Sequence, residues 1–182
     1  MKKEDVILFS GGAVGAETAF GENAEKLGID EVNFSFEGRE FTRTRGIRIL
    51  NHEELKNGDV SLDYIAKLMN RTYPHTPTFQ KIIQTIWHQI NNSREIFVIG
   101  EIMEDKTVKG GTGWGAEFAK ICNKKLYVFD QFKNQWYQWA NNEWFAISCP
   151  MITETHFCGT GTRELNETGK NAINELFVRS FE

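Results

Sequence analysis

The fold of this chain can be inferred outward from one segment, Gly110-Gly111-Thr112-Gly113-Trp114-Gly115-Ala116-Glu117. A short apolar run at residues 96–99 precedes it, and a helical pattern over residues 116–122 follows it. A strand that leads through a glycine-rich turn into a helix is typical of parallel sheets, where the turn presents backbone N–H groups to an anion. Glycine suits such a turn because it tolerates positive φ and lets a ligand approach the backbone.

Two further segments repeat this pattern. Near the beginning, an apolar run at residues 6–9 leads into Ser10-Gly11-Gly12-Ala13-Val14-Gly15-Ala16-Glu17. Near the end, a run at residues 155–158 leads into Gly159-Thr160-Gly161-Thr162-Arg163-Glu164. In a parallel sheet such turns lie at the carboxyl edge of the strands, so the three can converge on one crevice. The alternative interpretation is three tight turns that hold no ligand.

The composition is that of an ordinary globular protein. The 182 residues are 40% hydrophobic and 25% charged, and the formal net charge of −4 gives no reason to expect nucleic-acid binding. No apolar run approaches the roughly 18 residues of a membrane-spanning helix, and the N-terminus lacks the apolar stretch of a signal peptide. We expect one domain over residues 1–182, located in the cytoplasm.

The cysteines predict neither a disulfide framework nor a metal site. Cys122, Cys149 and Cys158 are odd in number and widely spaced, which is unlike a zinc cluster or a set of disulfides. We expect buried, reduced thiols.

Hydrophobic periodicity predicts an alternation of strands and helices. Strands are expected at residues 4–10, 31–36, 125–130 and 155–158, with a further strand near residues 47–50. Helices are expected at residues 14–27, after Ser61, from Pro77 to residue 91, and in the last segment to about residue 179. The apolar stripe of the Pro77 helix is expected to pack on the sheet. Aromatic segments at residues 135–139 and 143–147 predict a hairpin, so the fold class is α/β with a mostly parallel sheet and an antiparallel hairpin near the edge.

Two features near the expected crevice allow two interpretations each, and a third is expected to cover it. Arg39, Arg43, Arg45 and Arg48 either bind phosphates or cover an exposed strand edge. The hairpin tryptophans either stack on a base or pack within the hairpin. The polar segment at residues 101–109 is long for a connection between a strand and a helix, and we expect it to act as a flap over the ligand.

The glycine-rich segments predict an oxyanion or phosphate site, with helix dipoles and threonine hydroxyls as supporting donors. Arg163 is expected in the first turn of the last helix, where a cation is unfavourable unless an anion binds beside it. Glu117 is the candidate catalytic residue, either as the acid/base group at a glycosidic bond or as the partner of a ribose hydroxyl. The candidate ligand-binding residues are Ser10, Gly11, Gly12, Gly15, Glu17, Gly110, Gly111, Thr112, Gly113, Trp114, Gly159, Thr160, Gly161, Thr162 and Arg163.

Two common nucleotide-binding motifs are missing from the sequence. It has no G-x-x-x-x-G-K-[ST] segment, which excludes a standard P-loop, and its first glycine turn does not match the G-x-G-x-x-G of dinucleotide-binding dehydrogenases.

The glycine-rich segments resemble those of a known superfamily. Residues 110–117 are similar to the PGGxGTxxE signature of the LOG phosphoribohydrolases, with Lys109 in place of the proline and Trp114 in place of the threonine. Residues 10–17 resemble the first glycine turn of the wider SLOG superfamily. The GGAxGAE start, the aromatic hairpin and the GTGTRE ending are most similar to its YpsA and molybdenum-carrier branch. The resemblance implies a Rossmann-like three-layer sandwich that binds nucleotides or nucleotide-derived ligands at these turns, and a homodimer.

Three functions follow as expectations. The first is binding of a nucleotide or nucleotide-derived ligand. The second, implied by the LOG resemblance, is N-glycosidic bond cleavage with Glu117 as the acid/base group, although residues 72–92 contain no arginine to match the catalytic arginine of those enzymes. The third, implied by the molybdenum-carrier resemblance, is transport of molybdate or another oxyanion. The expected partner is therefore a small nucleotide-like or oxyanion ligand, and the sequence does not specify a cofactor.

Overall fold

One eight-stranded sheet forms the middle layer of the protein in the computed structural model, which describes residues 1–40 and 42–182. The strands are β1 (Ile7–Ser10), β2 (Asp30–Phe36), β3 (Ile47–Leu50), β4 (Glu95–Gly100), β5 (Lys125–Asp130), β6 (Gln135–Ala140), β7 (Glu143–Ile147) and β8 (His156–Gly161). The helices are α1 (Ala16–Lys26), α2 (His52–Asn57), α3 (Leu62–Leu68), α4 (Pro77–Asn91), α5 (Thr112–Ile121) and α6 (Glu167–Phe181).

The strand order is β3-β2-β1-β8-β4-β5-β6-β7. Every pair from β3 to β5 is parallel, whereas β6 and β7 pair antiparallel as a hairpin at one edge. The last strand lies in the centre, where Cys158 is in register with both Phe9 of β1 and Ile96 of β4. The predicted fold class is confirmed, and the three strands that lead into the glycine-rich segments are neighbours.

Helices cover both faces of the sheet. On one face, α1 and α6 pack against the central strands through Phe20, Phe157 and Phe177, all of which are almost fully buried. On the other face, α3, α4 and α5 enclose a second core that includes Ile90 and Val98. Because both faces are covered, β4 is buried along its whole length, as expected for a parallel strand with a continuous apolar sequence.

Local capping signals fixed several helix ends as predicted. The side chain of Ser61 accepts a hydrogen bond from Tyr64 N, and that of Thr76 accepts one from Phe79 N, just ahead of α3 and α4. Gly28 follows α1 with a φ of +71°, a conformation that suits glycine after a helix.

The structure differs from the sequence prediction in one additional helix and at two element boundaries. Helix α2 was not predicted, although Asn51 and Glu54 form a capping box at its start. Helix α5 begins at Thr112, inside the glycine segment and not at residue 116. Residues before Ile7 form a short 3₁₀ turn (Lys3–Asp5) in place of the predicted start of the first strand.

The third glycine segment was predicted wrongly as a turn that leads into a helix. Gly159, Thr160 and Gly161 belong to β8, and α6 begins only at Glu167, so Arg163 lies in a loop and not in the first turn of a helix. A Cβ at Gly159 would lie 2.4 Å from Cγ of Phe20, which has room only because the strand lacks a side chain there. This glycine lets α1 pack closely on β8.

The cysteine prediction is right for Cys158 alone, which is buried under the helices. Cys149 is half-buried, and Cys122 is exposed at the end of α5. Residues 1–40 and 42–182 contain no group of three or more His, Cys, Asp or Glu side chains that could hold a metal ion. Within the same residues, no helix has the length and apolar character needed to cross a membrane.

Candidate functional site

A cavity of about 490 Å³ opens at the carboxyl edge of the three central strands. Its lining includes Ala13 after β1, Gly100 at the end of β4 and Gly161 at the end of β8. This is the position where open parallel sheets bind ligands, because strand connections diverge there to opposite faces. The volume falls within the range of small-molecule sites, roughly 300–1,000 Å³.

Buried polar side chains form the floor of the cavity. Glu17 is 7% exposed, and its two carboxylate oxygens accept hydrogen bonds from Ala13 N and Thr160 Oγ1, both at 2.9 Å. Gln89 of α4 lies beside them and is 1% exposed. Its Oε1 is buried without a hydrogen-bond partner in the described parts of the chain. An unpaired buried acceptor costs free energy, so this amide needs an explanation.

The rim of the cavity carries cationic side chains. Arg39 and Arg163 both line the cavity, and neither forms an ion pair within residues 1–40 and 42–182. Arg39 Nη1 donates to Thr85 Oγ1 at 3.1 Å. Burial lowers the pKa of Arg39, the charge of Glu17 opposes that shift, and the charge of Arg163 adds to it. A bound anion would relieve the repulsion between these arginines.

The N-terminus of α5 faces the same space. Gly110, Gly111 and Thr112 line the cavity, and Gly111, the residue before the helix, provides no side-chain cap. The first N–H groups of a helix have no partner within it, and they carry the positive end of the helix dipole. Lys109 lies beside them, and a 2.7 Å ion pair with Glu101 raises its pKa.

An arginine that the sequence did not indicate holds this glycine segment in place. Arg71 donates to Gly110 O at 3.0 Å and to Val108 O at 2.7 Å, and it also reaches the Thr107 hydroxyl. The segment is tightly packed: a Cβ at Gly113 would lie only 2.2 Å from Val108 O, so a side chain larger than that of glycine would not fit there. Nothing in the local pattern around Arg71 predicts these contacts, which join residues 36 to 39 positions apart.

Helix α4 supplies an apolar wall. Phe79, Ile82, Ile83 and Ile86 line the cavity. The predicted packing of the apolar stripe on the sheet is confirmed. Ile83 and Ile90 are buried in the second core, and the half-buried side chains of Phe79, Ile82 and Ile86 pack against core clusters that include sheet residues while one side of each stays open to the cavity. The helix also buries polar residues, namely Gln84, Thr85, His88 and Gln89. This pattern leaves a half-exposed apolar surface beside the cationic rim.

One arginine of the cluster at residues 39–48 reaches the cavity. The other three form ion pairs elsewhere: Arg43 and Arg45 with the buried carboxylate of Glu31, and Arg48 with Glu54. Arg39 is therefore the member of the cluster that lies where a phosphate could bind, and Arg43 holds a buried carboxylate and does not cover a solvated strand edge.

The structure brings about half of the candidate ligand-binding residues to the cavity. Those that line it are Glu17, Gly110, Gly111, Thr112, Thr160, Gly161, Thr162 and Arg163. Those that lie outside its lining are Ser10, Gly11, Gly12, Gly15, Gly113, Trp114 and Gly159.

Most residues of the second set shape the surrounding backbone. Ser10 donates to Gly159 O at 2.7 Å and so joins β1 to β8. Gly15 has a φ of +92°, and a Cβ there would lie 2.5 Å from Thr162 O. Trp114 packs edge-on against Phe79 and Tyr73.

Glu117, the candidate catalytic residue, does not line the cavity. Its carboxylate lies 3.3 Å from Lys120 Nζ, and both side chains are largely buried. The ammonium of Lys120 lies 4.1 Å from the ring centroid of Trp139 and 5.3 Å from that of Trp144. Burial lowers the pKa of Lys120, and the charge of Glu117 opposes that shift. This cluster fastens α5 to the β6–β7 hairpin.

The same cluster settles how residues 101–109 lie. Ile102 and Val108 form an antiparallel bridge, and Trp144 Nε1 donates to Lys106 O at 2.9 Å. The tip of the segment is thus held against the hairpin, while its ends, Glu101 and Lys109, line the cavity. This geometry favours an anchored loop over a flap, and it favours packing over base stacking for the hairpin tryptophans.

Comparison of the chain with family models, curated proteins and solved structures found no match. Function must therefore be inferred from the chemistry of the cavity. Its lining joins two kinds of surface: a cationic rim at a helix N-terminus, and an apolar wall on α4.

Proposed function

We propose that the protein binds a nucleotide, or a nucleotide-derived ligand that carries phosphate, in the cavity at the carboxyl edge of β1, β8 and β4. The observation that carries the proposal is the meeting of unpaired cations with an apolar surface in one cavity. Within residues 1–40 and 42–182, Arg39 and Arg163 form no ion pair with a carboxylate, and Phe79 and Ile86 remain half-exposed beside them. A nucleotide offers an anion to the first surface and a flat base to the second.

The phosphate would lie between the two arginines and the start of α5. Guanidinium groups bind phosphate oxygens with paired hydrogen bonds, and the free N–H groups at Gly111 and Thr112 add donors along the helix axis. The resemblance of the glycine segments to those of SLOG proteins supports the same placement.

The two rival functions have less support from the geometry. An oxyanion carrier would use the cationic rim but would leave the apolar wall of α4 without a role. Cleavage of a glycosidic bond by Glu117 would require its carboxylate at the ligand, whereas it pairs with Lys120 outside the cavity lining. We therefore propose binding and no catalytic step.

Isothermal titration calorimetry tests the proposal with AMP, GMP, CMP, UMP, ADP-ribose, orthophosphate and molybdate. We expect at least one nucleotide to bind more tightly than orthophosphate. Arg163→Gln should weaken nucleotide binding about 10-fold to 100-fold, because a hydrogen bond between charged groups contributes about 1.5–3 kcal/mol.

Arg48→Gln is the matched control, because Arg48 is also an exposed arginine but pairs with Glu54 away from the cavity. Its nucleotide affinity should equal that of the unmodified protein. Absence of nucleotide binding, or equal binding by the Arg163 variant, would refute the proposal. Binding of molybdate or orthophosphate in preference to every nucleotide would favour the oxyanion carrier.

A further inference from the structure

The cavity presents donors at its rim and acceptors on its floor, and the carboxylates of Glu101, which pairs with Lys109, and Glu164 also line it. The rim presents hydrogen-bond donors: the guanidinium groups of Arg39 and Arg163 and the N–H groups at the start of α5. The floor presents acceptors at Glu17, whose carboxylate accepts the hydrogen bond that Thr160 Oγ1 donates, and the Gln89 amide adds an acceptor oxygen beside its N–H donors. Each carboxylate oxygen of Glu17 accepts one hydrogen bond from the protein and has capacity for another.

Gln89 adds the unsatisfied acceptor. Its Oε1 is buried and has no partner in residues 1–40 and 42–182, although the side chain lines the cavity. The amide is confined next to Glu17, because a Cβ at Gly11 would lie 2.6 Å from Gln89 Nε2 and 2.9 Å from Glu17 Oε2. A ligand that placed a donor here would satisfy a group that the folded protein leaves unpaired.

We propose that Gln89 and Glu17 together bind the two vicinal hydroxyl groups of a ribose, so that the cavity selects ribonucleotides over deoxyribonucleotides. The inference rests on the proposed nucleotide binding and deepens it. Glu17 would accept one hydroxyl and the Gln89 amide oxygen the other, which makes Gln89 a specificity-determining residue.

Position favours ribose hydroxyls over the amino group of a base as the donors. Glu17 and Gln89 line the same cavity as Arg39 and Arg163, so the acceptor floor lies close to the expected phosphate position. In a 5′-nucleotide the ribose is next to the phosphate, whereas the amino group of the base lies at the far end. The apolar side chains of α4 are left for the base.

The test compares the four ribonucleoside 5′-monophosphates with their 2′-deoxy and 3′-deoxy counterparts by calorimetry. The unmodified protein should bind both deoxy forms about 10-fold more weakly than the ribonucleotide, as expected for one lost hydrogen bond that leaves a buried acceptor unpaired. Gln89→Met, which keeps the length of the side chain, should remove the discrimination against at least one of the two deoxy forms.

Gln84→Met is the matched control. Gln84 is a buried glutamine of the same helix, but its Nε2 donates to Asp59 Oδ1 at 2.6 Å and the residue does not line the cavity. This control should lower the thermal unfolding midpoint and keep the full preference for ribose. Gln89→Met should leave the midpoint unchanged or raise it, because the substitution removes an unpaired polar atom.

The possible failures can be told apart. If ribonucleotides bind but the unmodified protein accepts both deoxy forms equally well, ribose recognition is wrong and the proposed function stands. The same holds if Gln89→Met keeps both discriminations, or if it weakens all forms equally while it lowers the unfolding midpoint. If no ribonucleotide binds, both proposals fall together.

Discussion

The buried carboxylate of Glu31 forms ion pairs with Arg43 and Arg45, which lie in the segment between β2 and β3. Its side chain is 1% exposed, and Arg43 binds it through Nε and Nη2 at 2.6–2.9 Å. Arg43 Nη2 also donates to Gly21 O and Glu25, so this one side chain joins β2 to α1. Removal of one partner from a buried ion pair leaves the other charge without compensation in a medium that solvates it poorly.

Arg43→Met should therefore destabilise the protein by about 3 kcal/mol, which is the lower end of the usual range because Arg45 remains beside Glu31 at 3.3 Å. Arg48→Met is the control, since its ion pair with Glu54 is solvent-exposed and worth at most about 1 kcal/mol. Urea unfolding of both variants measures the difference. An equal loss of unfolding free energy in both variants would show that burial does not make the Arg43–Glu31 pair stronger than the exposed Arg48–Glu54 pair.

Sequence alone could not separate these arginines. Four cations within ten residues predict either phosphate binding or surface contacts, and the choice depends on which carboxylates other elements bring near. Glu31 comes from β2 and Glu54 from α2, and neither position can be read from the arginine spacing. Gln89 was missed for a related reason. The apolar periodicity of α4 predicts burial of its apolar residues, but it does not indicate that Gln89 is buried as well.

Among the single elements, β8 shows that a glycine-rich run after an apolar run can form either a turn or part of a strand. A glycine-rich run after an apolar run predicts a turn, but Gly159 and Gly161 lie within the strand. Their neighbours decide the outcome, because α1 crosses β8 so closely that Phe20 occupies the space of a side chain. Capped helices such as α3 and α4 were predictable, since the signals that start them lie within a few residues of the start.

Gly159→Ala should destabilise the protein by about 1–3 kcal/mol, because the added Cβ would lie 2.4–2.9 Å from three atoms of Phe20 and force the core to shift. Gly111→Ala is the matched control: no atom lies within 4 Å of its added Cβ, and its φ of −61° is helical. Stability should be unchanged or rise by up to about 1 kcal/mol there. Urea unfolding distinguishes the two.

A double-mutant cycle checks the mechanism of the first change. If the clash with Phe20 causes the loss, Gly159→Ala should cost less in a Phe20→Leu background than in the unmodified protein. Equal costs in both backgrounds would point away from Phe20 as the cause.

In the whole molecule, the order of the strands matters more than any single contact. In the sheet of the described chain, the strands β3-β2-β1 are joined to the strands β4-β5-β6-β7 by hydrogen-bonded pairing only through β8. The final part of the chain also supplies α6 and with it much of one core, including Ile173, Leu176 and Phe177. The fold class could be predicted from local patterns, but the insertion of β8 between β1 and β4 depends on contacts about 149 residues apart.

A chain that ends at Cys149 should therefore lack a cooperative urea transition. It would retain two groups of strands without the strand that pairs them, and it would expose the core face that α6 covers. It should also lose the proposed nucleotide binding, because β8 and the following loop supply Thr160, Thr162 and Arg163 to the cavity. Circular dichroism and calorimetry measure the two losses.

Addition of a peptide of residues 150–182 to that truncated chain is the control for misfolding that has a cause other than the missing β8 and α6. If β8 joins the two halves, the mixture should regain both the cooperative transition and nucleotide binding, with an apparent stability that rises with peptide concentration. A truncated chain that unfolds cooperatively near the midpoint of the full chain would mean that the two halves hold together without β8. In that case the cavity would be an addition to a stable core and not a product of the central strand.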